Sequence, residues 1–257
     1  MRVSLYLFRL FILLVLLCSS YVVSAAKIVI VADDWCPYNC EPNTELPGYV
    51  VEIVQYIFSR HDIEVEYRYV SWELAVQGVE KGDYDAVIGA TLVEVPSGIF
   101  PQEPIGKSQT QFIKRAGNNW RYYGVDSLKN IKLGGIKSYD YGEAINTYIE
   151  TANPNHIHLL IGDNATELNL SGLYRGAIDA FADDKNVISN VVNRLGLSKE
   201  FQIAGEEGDA DPIYVAFSPK LNRSQEYAEI LSKGIQEMRG DGHLMWILNR
   251  YGLKDWQ

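Results

Sequence analysis

Two cysteines four residues apart, in Trp35-Cys36-Pro37-Tyr38-Asn39-Cys40, are the first residues along the chain that could do chemistry. A thiol pair at that spacing either bridges or helps to ligate a metal. Zinc would need further His or Cys ligands, and none lies nearby. The proline-bearing turn can bring the two Cα atoms within bridging range, so a Cys36–Cys40 disulfide is expected in an oxidising compartment. His156 and His158 alternate along a strand and share one face, but a third metal ligand is missing and packing is the ordinary role of such a pair. Ser138 lacks both the Gly-x-Ser-x-Gly elbow and a placed His that would make it a nucleophile. No glycine-rich loop has phosphate-binding spacing. Neither a catalytic constellation nor a cofactor motif is expected.

The N-terminus bears on the compartment. Arg2 and Arg9 accompany an apolar run over 10–17, followed by the small residues Val23-Ser24-Ala25-Ala26. That pattern describes a secretory signal peptide over residues 1–25, cleaved near Ala25, and so a periplasmic or secreted mature chain. A membrane span needs roughly 20 apolar residues, which makes an uncleaved anchor the poorer reading. A lipoprotein attached at Cys18 would want a smaller preceding residue than Leu17. Cleavage removes Cys18, leaving Cys36 and Cys40 as an even pair. It also removes two arginines and no acid, so the net charge of −10 falls by 2 to −12. Nucleic acid is excluded as a partner, because phosphate binding rests on Lys and Arg, and anionic lipid is disfavoured. About 230 residues remain, enough to bury the core of one or two domains.

The elements that must position any site alternate regularly. A β-branched run at 27–32 reads as a buried strand. Apolar positions at helical spacing follow in 48–60, an alternating strand in 64–70, a helix stripe from Trp72 ending at Lys81-Gly82, and a strand at 85–90. The β-α-β-α-β order predicts a parallel sheet covered by helices, an α/β fold. The pattern then restarts, with strands expected at 127–136, 156–161 and 177–182 and helices at 143–150, 165–176 and 186–195. A strand at 213–217 and helical patterns at 227–238 and 243–251 complete the chain.

Four segments, in this order, resemble the extracellular solute-binding proteins of the polar amino-acid type, family 3. They are Asp34-Trp35-Cys36-Pro37-Tyr38, Gly48-Tyr49-Val50-Val51-Glu52-Ile53, the stretch 72–89 with its Gly-Asp-Tyr-Asp-Ala core, and Gly176-Ala177-Ile178-Asp179-Ala180-Phe181-Ala182-Asp183-Asp184. The resemblance implies a type II periplasmic-binding fold with two β/α lobes and a ligand cleft between them. Lobe one would span 26–113 plus 213–257, and lobe two 114–212. It implies ligand contacts from Trp35 with Tyr38 close by, from Trp72, from Gly89, Ala90 and Thr91, from the backbone around Ser138, Tyr139 and Asp140, and from Asp184 toward a ligand ammonium. The family's carboxylate-clamping Arg is absent from 91–100, and Ser97 or a neighbour stands in its place.

With Glu94, Asp140 and Asp184 beside two indoles, the resemblance makes the cleft aromatic and electronegative. A cation over a Trp face gains about 0.5–2 kcal/mol, and buried carboxylates without basic partners call for a cation or a proton. The plainer alternatives are core packing for Trp35 and Trp72 and a helix N-terminal charge for Asp140. The implied function is capture of a small polar, amine-bearing or cationic solute by hinge closure. A monomer with no cofactor would deliver it to an ABC-type permease or a membrane sensor. The alternative on the same scaffold is a secreted dehydratase acting on cyclohexadienyl acids, with Glu94 as general acid.

Overall fold

The computed structural model describes residues 26–162 and 164–257. The expected signal peptide and its cleavage site lie outside the described residues, apart from Ala26 at the start of the first strand. Among the described residues, no helix is long and apolar enough to cross a membrane.

Two five-stranded sheets organise the chain. In the first, β1 (Ala26–Ala32) lies between β2 (Ile63–Tyr69) and β3 (Ala86–Ala90), parallel to both, joined through helices α1 (Tyr49–Ser59) and α2 (Trp72–Lys81). These are right for covered parallel strands: β3 is almost wholly buried, β1 buries Ile28, Ile30, Val31 and Ala32, and α1 turns Val50, Ile53, Val54, Ile57 and Phe58 inward. Gly82 ends α2 in the left-handed conformation that its missing Cβ permits. Strand β10 (Asp211–Phe217) returns antiparallel between β3 and β4 (Gly106–Ser108). Helices α6 (Ser224–Asp241) and α7 (His243–Arg250) then pack back on α1, so the C-terminus rejoins the first lobe.

The second sheet runs in the order β7 (Ile157–Leu160), β6 (Leu133–Ile136), β8 (Ala180–Asp184), β5 (Thr110–Arg115), β9 (Phe201–Glu206). Its helices are α3 (Glu143–Thr151), α4 (Ala165–Arg175) and α5 (Lys185–Arg194). The chain crosses between lobes at Gln109 and returns over 207–210. A lobe boundary at 113/114 would therefore cut through β5, which pairs wholly with β8 and β9. Two expected strands are displaced. Val125–Leu128 forms a 3-10 turn, so β6 starts only at Leu133, and the turn after Gly176 delays β8 to Ala180, which brings Asp183 and Asp184 into the strand.

Candidate functional site

Ligands of open α/β sheets sit beyond the carboxyl ends of parallel strands, and here three such ends converge. After β1 the chain delivers Asp33 and Trp35 and then doubles back through the Cys36–Cys40 disulfide, whose Cα atoms are 4.5 Å apart. Within that bracket the Trp35 and Asn39 backbones form a bridge, and the Asn39 amide donates to Asp33 O at 2.7 Å. Trp35 stacks on Tyr38 with ring centroids 4.1 Å apart. Gly48 (φ 109°) lets α1 start directly against this bracket, since a Cβ there would lie 2.4 Å from Tyr38 O. Gly89 likewise allows β3 to run under the Trp35 ring, 3.3 Å from where its Cβ would be.

After β3, Thr91 donates to Glu94 Oε2 through both its backbone N–H and its hydroxyl, each at 2.9 Å. Burial pushes the Glu94 carboxyl up to about 7. The Thr91 donors oppose that rise, while the charges of Asp140 and Asp33 add to it. After β6, Tyr139 donates its hydroxyl hydrogen to Asp33 across the cleft and meets Trp72 edge-on, with centroids 6.4 Å apart. Asp140 Oδ1 accepts from Gly142 N at 2.9 Å and from Asn146 Nδ2 at 2.7 Å, just ahead of α3. The plainer role expected for Asp140 at the helix start is thus present together with its place in the pocket.

These groups line a cavity of about 400 Å3, part of it open to solvent. Its walls are Asp33, Trp35, Ile88, Gly89, Ser108 and Ile213 with Trp72, Thr91, Glu94, Tyr139 and Asp140. Three of those side chains are carboxylates. None of the described residues lining it is Lys, Arg or His, and no group of three His, Cys, Asp or Glu able to hold a metal occurs among the described residues. Of the residues expected in the cleft, the structure brings together Trp35, Trp72, Gly89, Thr91, Tyr139 and Asp140. Ser138 (φ 68°) lines the adjoining cavity with Lys137 and Glu73. Tyr38, 1% exposed, lies behind Trp35 rather than beside it. Ala90 is buried among Val31, Val79 and Val87, and Ser97 is exposed near Glu80. Asp33, Ile88, Ser108 and Ile213 were not foreseen. Asp33 was within reach, because it follows β1 as Thr91 follows β3; Ser108 sits on the short β4, which gave no periodic signal, and Ile213 opens a strand that was expected, with nothing local to place it in the site.

Asp184 is 4% exposed and lies outside the cavity wall. Its Oδ1 caps α5, accepting from Asn186 N at 2.7 Å and Val187 N at 3.1 Å. Its Oδ2 accepts from Tyr38 Oη at 3.1 Å, Ser108 Oγ at 3.0 Å and Gln109 N at 3.0 Å. Four protein donors thus hold the carboxylate, from both lobes and from the crossing segment, while the single Tyr38 hydroxyl hydrogen is shared with Lys107 O at 2.7 Å. Burial still raises its pKa, against the pull of those donors. Asp183, expected to point elsewhere, is 1% exposed and accepts from Thr166 Oγ1 and from Asp184 N, both at 2.7 Å. Burial lifts it to about 7, Asp184 adding to the rise and Thr166 opposing it. The Trp35 indole also favours the charged form of Asp183 by its proximity, though its N–H completes no hydrogen bond of normal geometry.

No curated protein matches the sequence significantly. Among solved structures, the amino acid ABC transporter substrate-binding protein AbpA from Streptococcus pneumoniae, bound to L-arginine, superposes with a TM-score of 0.69 at 20% identity, covering 88% of this chain and 94% of that one. A histidine kinase sensor domain with similarity to periplasmic binding proteins gives 0.72 at 18%, covering 88% and 95%. A structure from work on glutathione import via GshT and the cystine ABC importer TcyBC of Streptococcus mutans gives 0.74 at 15%, covering 91% and 98%. At these identities the likeness establishes the fold, the type II periplasmic-binding arrangement of two α/β lobes. The family model for bacterial extracellular solute-binding proteins, family 3, matches residues 28–254, and the chain belongs to that family.

Proposed function

We propose that this protein captures a small solute bearing a positive charge, closes its lobes over it outside the cytoplasm, and presents it to an ABC-type permease or a membrane sensor. One observation carries the charge assignment: Asp33, Glu94 and Asp140 line one cavity that has no basic side chain among its described lining residues. Charges taken out of water need partners, and the Trp35 and Trp72 rings suit a cation as well. Binding to L-arginine by the Streptococcus pneumoniae protein agrees with a basic ligand, and the kinase sensor domain agrees with either downstream partner. Asp184 enters this reading as the joint between lobes rather than as a ligand group, since its oxygens already serve four protein donors. A dehydratase acting on cyclohexadienyl acids fits less well. Glu94 has the pKa of a general acid, but such a substrate is itself a carboxylate and would meet carboxylates in this pocket.

The test is mass spectrometry of solute released on denaturing natively exported protein, followed by thermal shift with the compound found. A ligand at 100 times its Kd should contribute about 2.7 kcal/mol of stability. Recovery of an acidic solute that stabilises the protein to that extent would refute the assignment.

A further inference from the structure

We infer that Glu94 is the specificity-determining residue of this pocket: together with Asp140 on the opposite lobe it brackets a ligand cation that carries no carboxylate. The inference rests on the functional reading above and deepens it. Glu94 is held in one orientation by the paired Thr91 donors at 2.9 Å, so it is aimed rather than mobile. The described residues that line the cavity with it are all acidic or neutral. Asp33 follows β1, Asp140 and Tyr139 precede α3, Trp72 opens α2, and Ser108 ends β4. Lys137 lines the adjoining cavity instead. Asp33 already receives the Tyr139 hydroxyl.

Glu94 and Asp140 line one cavity with no Lys, Arg or His among its described lining residues, and burial, with the charges of Asp140 and Asp33 adding to it, holds Glu94 protonated up to about neutral pH. When a cation enters, that proton leaves to solvent and the charge count of the pocket is restored. An α-carboxylate on the same ligand would face Glu94 and Asp140 with no basic partner, and like-charge juxtaposition is strongly disfavoured. The pocket should therefore tell an amine from the amino acid that differs from it only by the carboxylate.

Titration calorimetry with two such pairs, agmatine against arginine and cadaverine against lysine, tests this. At least one amine should bind about tenfold or more tightly than its amino acid. At pH 6 its binding should release roughly one proton, read from the heats in two buffers of different ionisation enthalpy, and its affinity should rise about tenfold per pH unit up to pH 7 and then level off. Glu94→Gln should abolish both the proton release and the pH dependence. Thr91→Val, which removes one of the two donors that favour ionised Glu94, should move the same transition to higher pH while leaving Glu94 in place. An amino acid binding as tightly as its amine, or proton release unchanged in Glu94→Gln, would overturn the role of Glu94 while leaving the cation reading intact. Failure of all four probes to bind would instead bring down the cation reading and, with it, this inference.

Discussion

Replacing Asp183 with Asn should change stability in a way that depends on pH. In the folded protein Asp183 keeps its proton to about pH 7, whereas an unfolded aspartate loses it near 3.8. Between those values the folded state binds more protons than the unfolded state, so this group's contribution to stability is fully present below about pH 4 and is lost as the pH rises toward 7. At pH 5 roughly 2 kcal/mol of it has gone, and at pH 8 about 4 kcal/mol. Asn mimics the protonated acid: its carbonyl can accept from Asp184 N while its amide donates to Thr166 Oγ1, the two groups that Asp183 already engages. It carries no pH-dependent term of its own. The variant should therefore gain about 2–3 kcal/mol on its parent between pH 5 and pH 8, which for a chain of this size is roughly 5–10 °C in Tm. Urea and thermal unfolding of both proteins at the two pH values measure it. Parallel stability curves would show that Asp183 is already ionised in the folded protein at pH 5, and the account of its burial would be wrong.

The joint at Asp184 should be structural: Asp184→Ala removes the cap of α5 and orphans Gln109 N, and should cost about 2–4 kcal/mol in urea unfolding; unchanged stability would deny the joint. Tyr139→Phe deletes the hydroxyl bond to Asp33 across the cleft, so small-angle scattering of the ligand-free variant should show a larger radius of gyration, and an identical profile would mean that this bond does not hold the lobes together. Reduction of natively exported protein should add the mass of two protons as Cys36 and Cys40 open, while the loss in stability stays below about 3 kcal/mol because the loop is short. Free thiols before reduction would contradict the bridge.

Both β-α-β-α-β runs were legible because their signals are local. A buried strand such as β1 and an amphipathic helix such as α1 each announce themselves within a dozen residues. Strands β4, β5 and β9 were not, since they are three to six residues long and take their partners from distant segments: Thr110 opposes Asp184, and Gln111 opposes Glu206. The same division runs through the site. From the family resemblance, Trp35 after β1, Trp72 at the start of α2, and Tyr139 and Asp140 ahead of α3 could be placed in the cleft. Asp184 could not, because its fate is decided by Tyr38 and by Ser108 and Gln109, which are 146, 76 and 75 residues away. Asp33 had the right place, directly after β1, but Asp34 shares it, so nothing local marked which of the two acids enters the site.

The position of β10 has a consequence for how the chain is made. It lies between β3 and β4, yet it follows the whole second sheet in sequence. The second lobe is an insertion whose two ends touch, Glu207 N donating to Thr110 O at 2.9 Å. During synthesis from the N-terminus, that insertion can close on itself as soon as residue 206 emerges. The first lobe has β1, β2 and β3 early but leaves β3 with an open edge until residue 217 arrives, and α1 lacks its cover until α6 and α7 follow. The lobe begun first is therefore finished last, and an open strand edge on β3 is the surface a nascent chain would most need shielded in the interval.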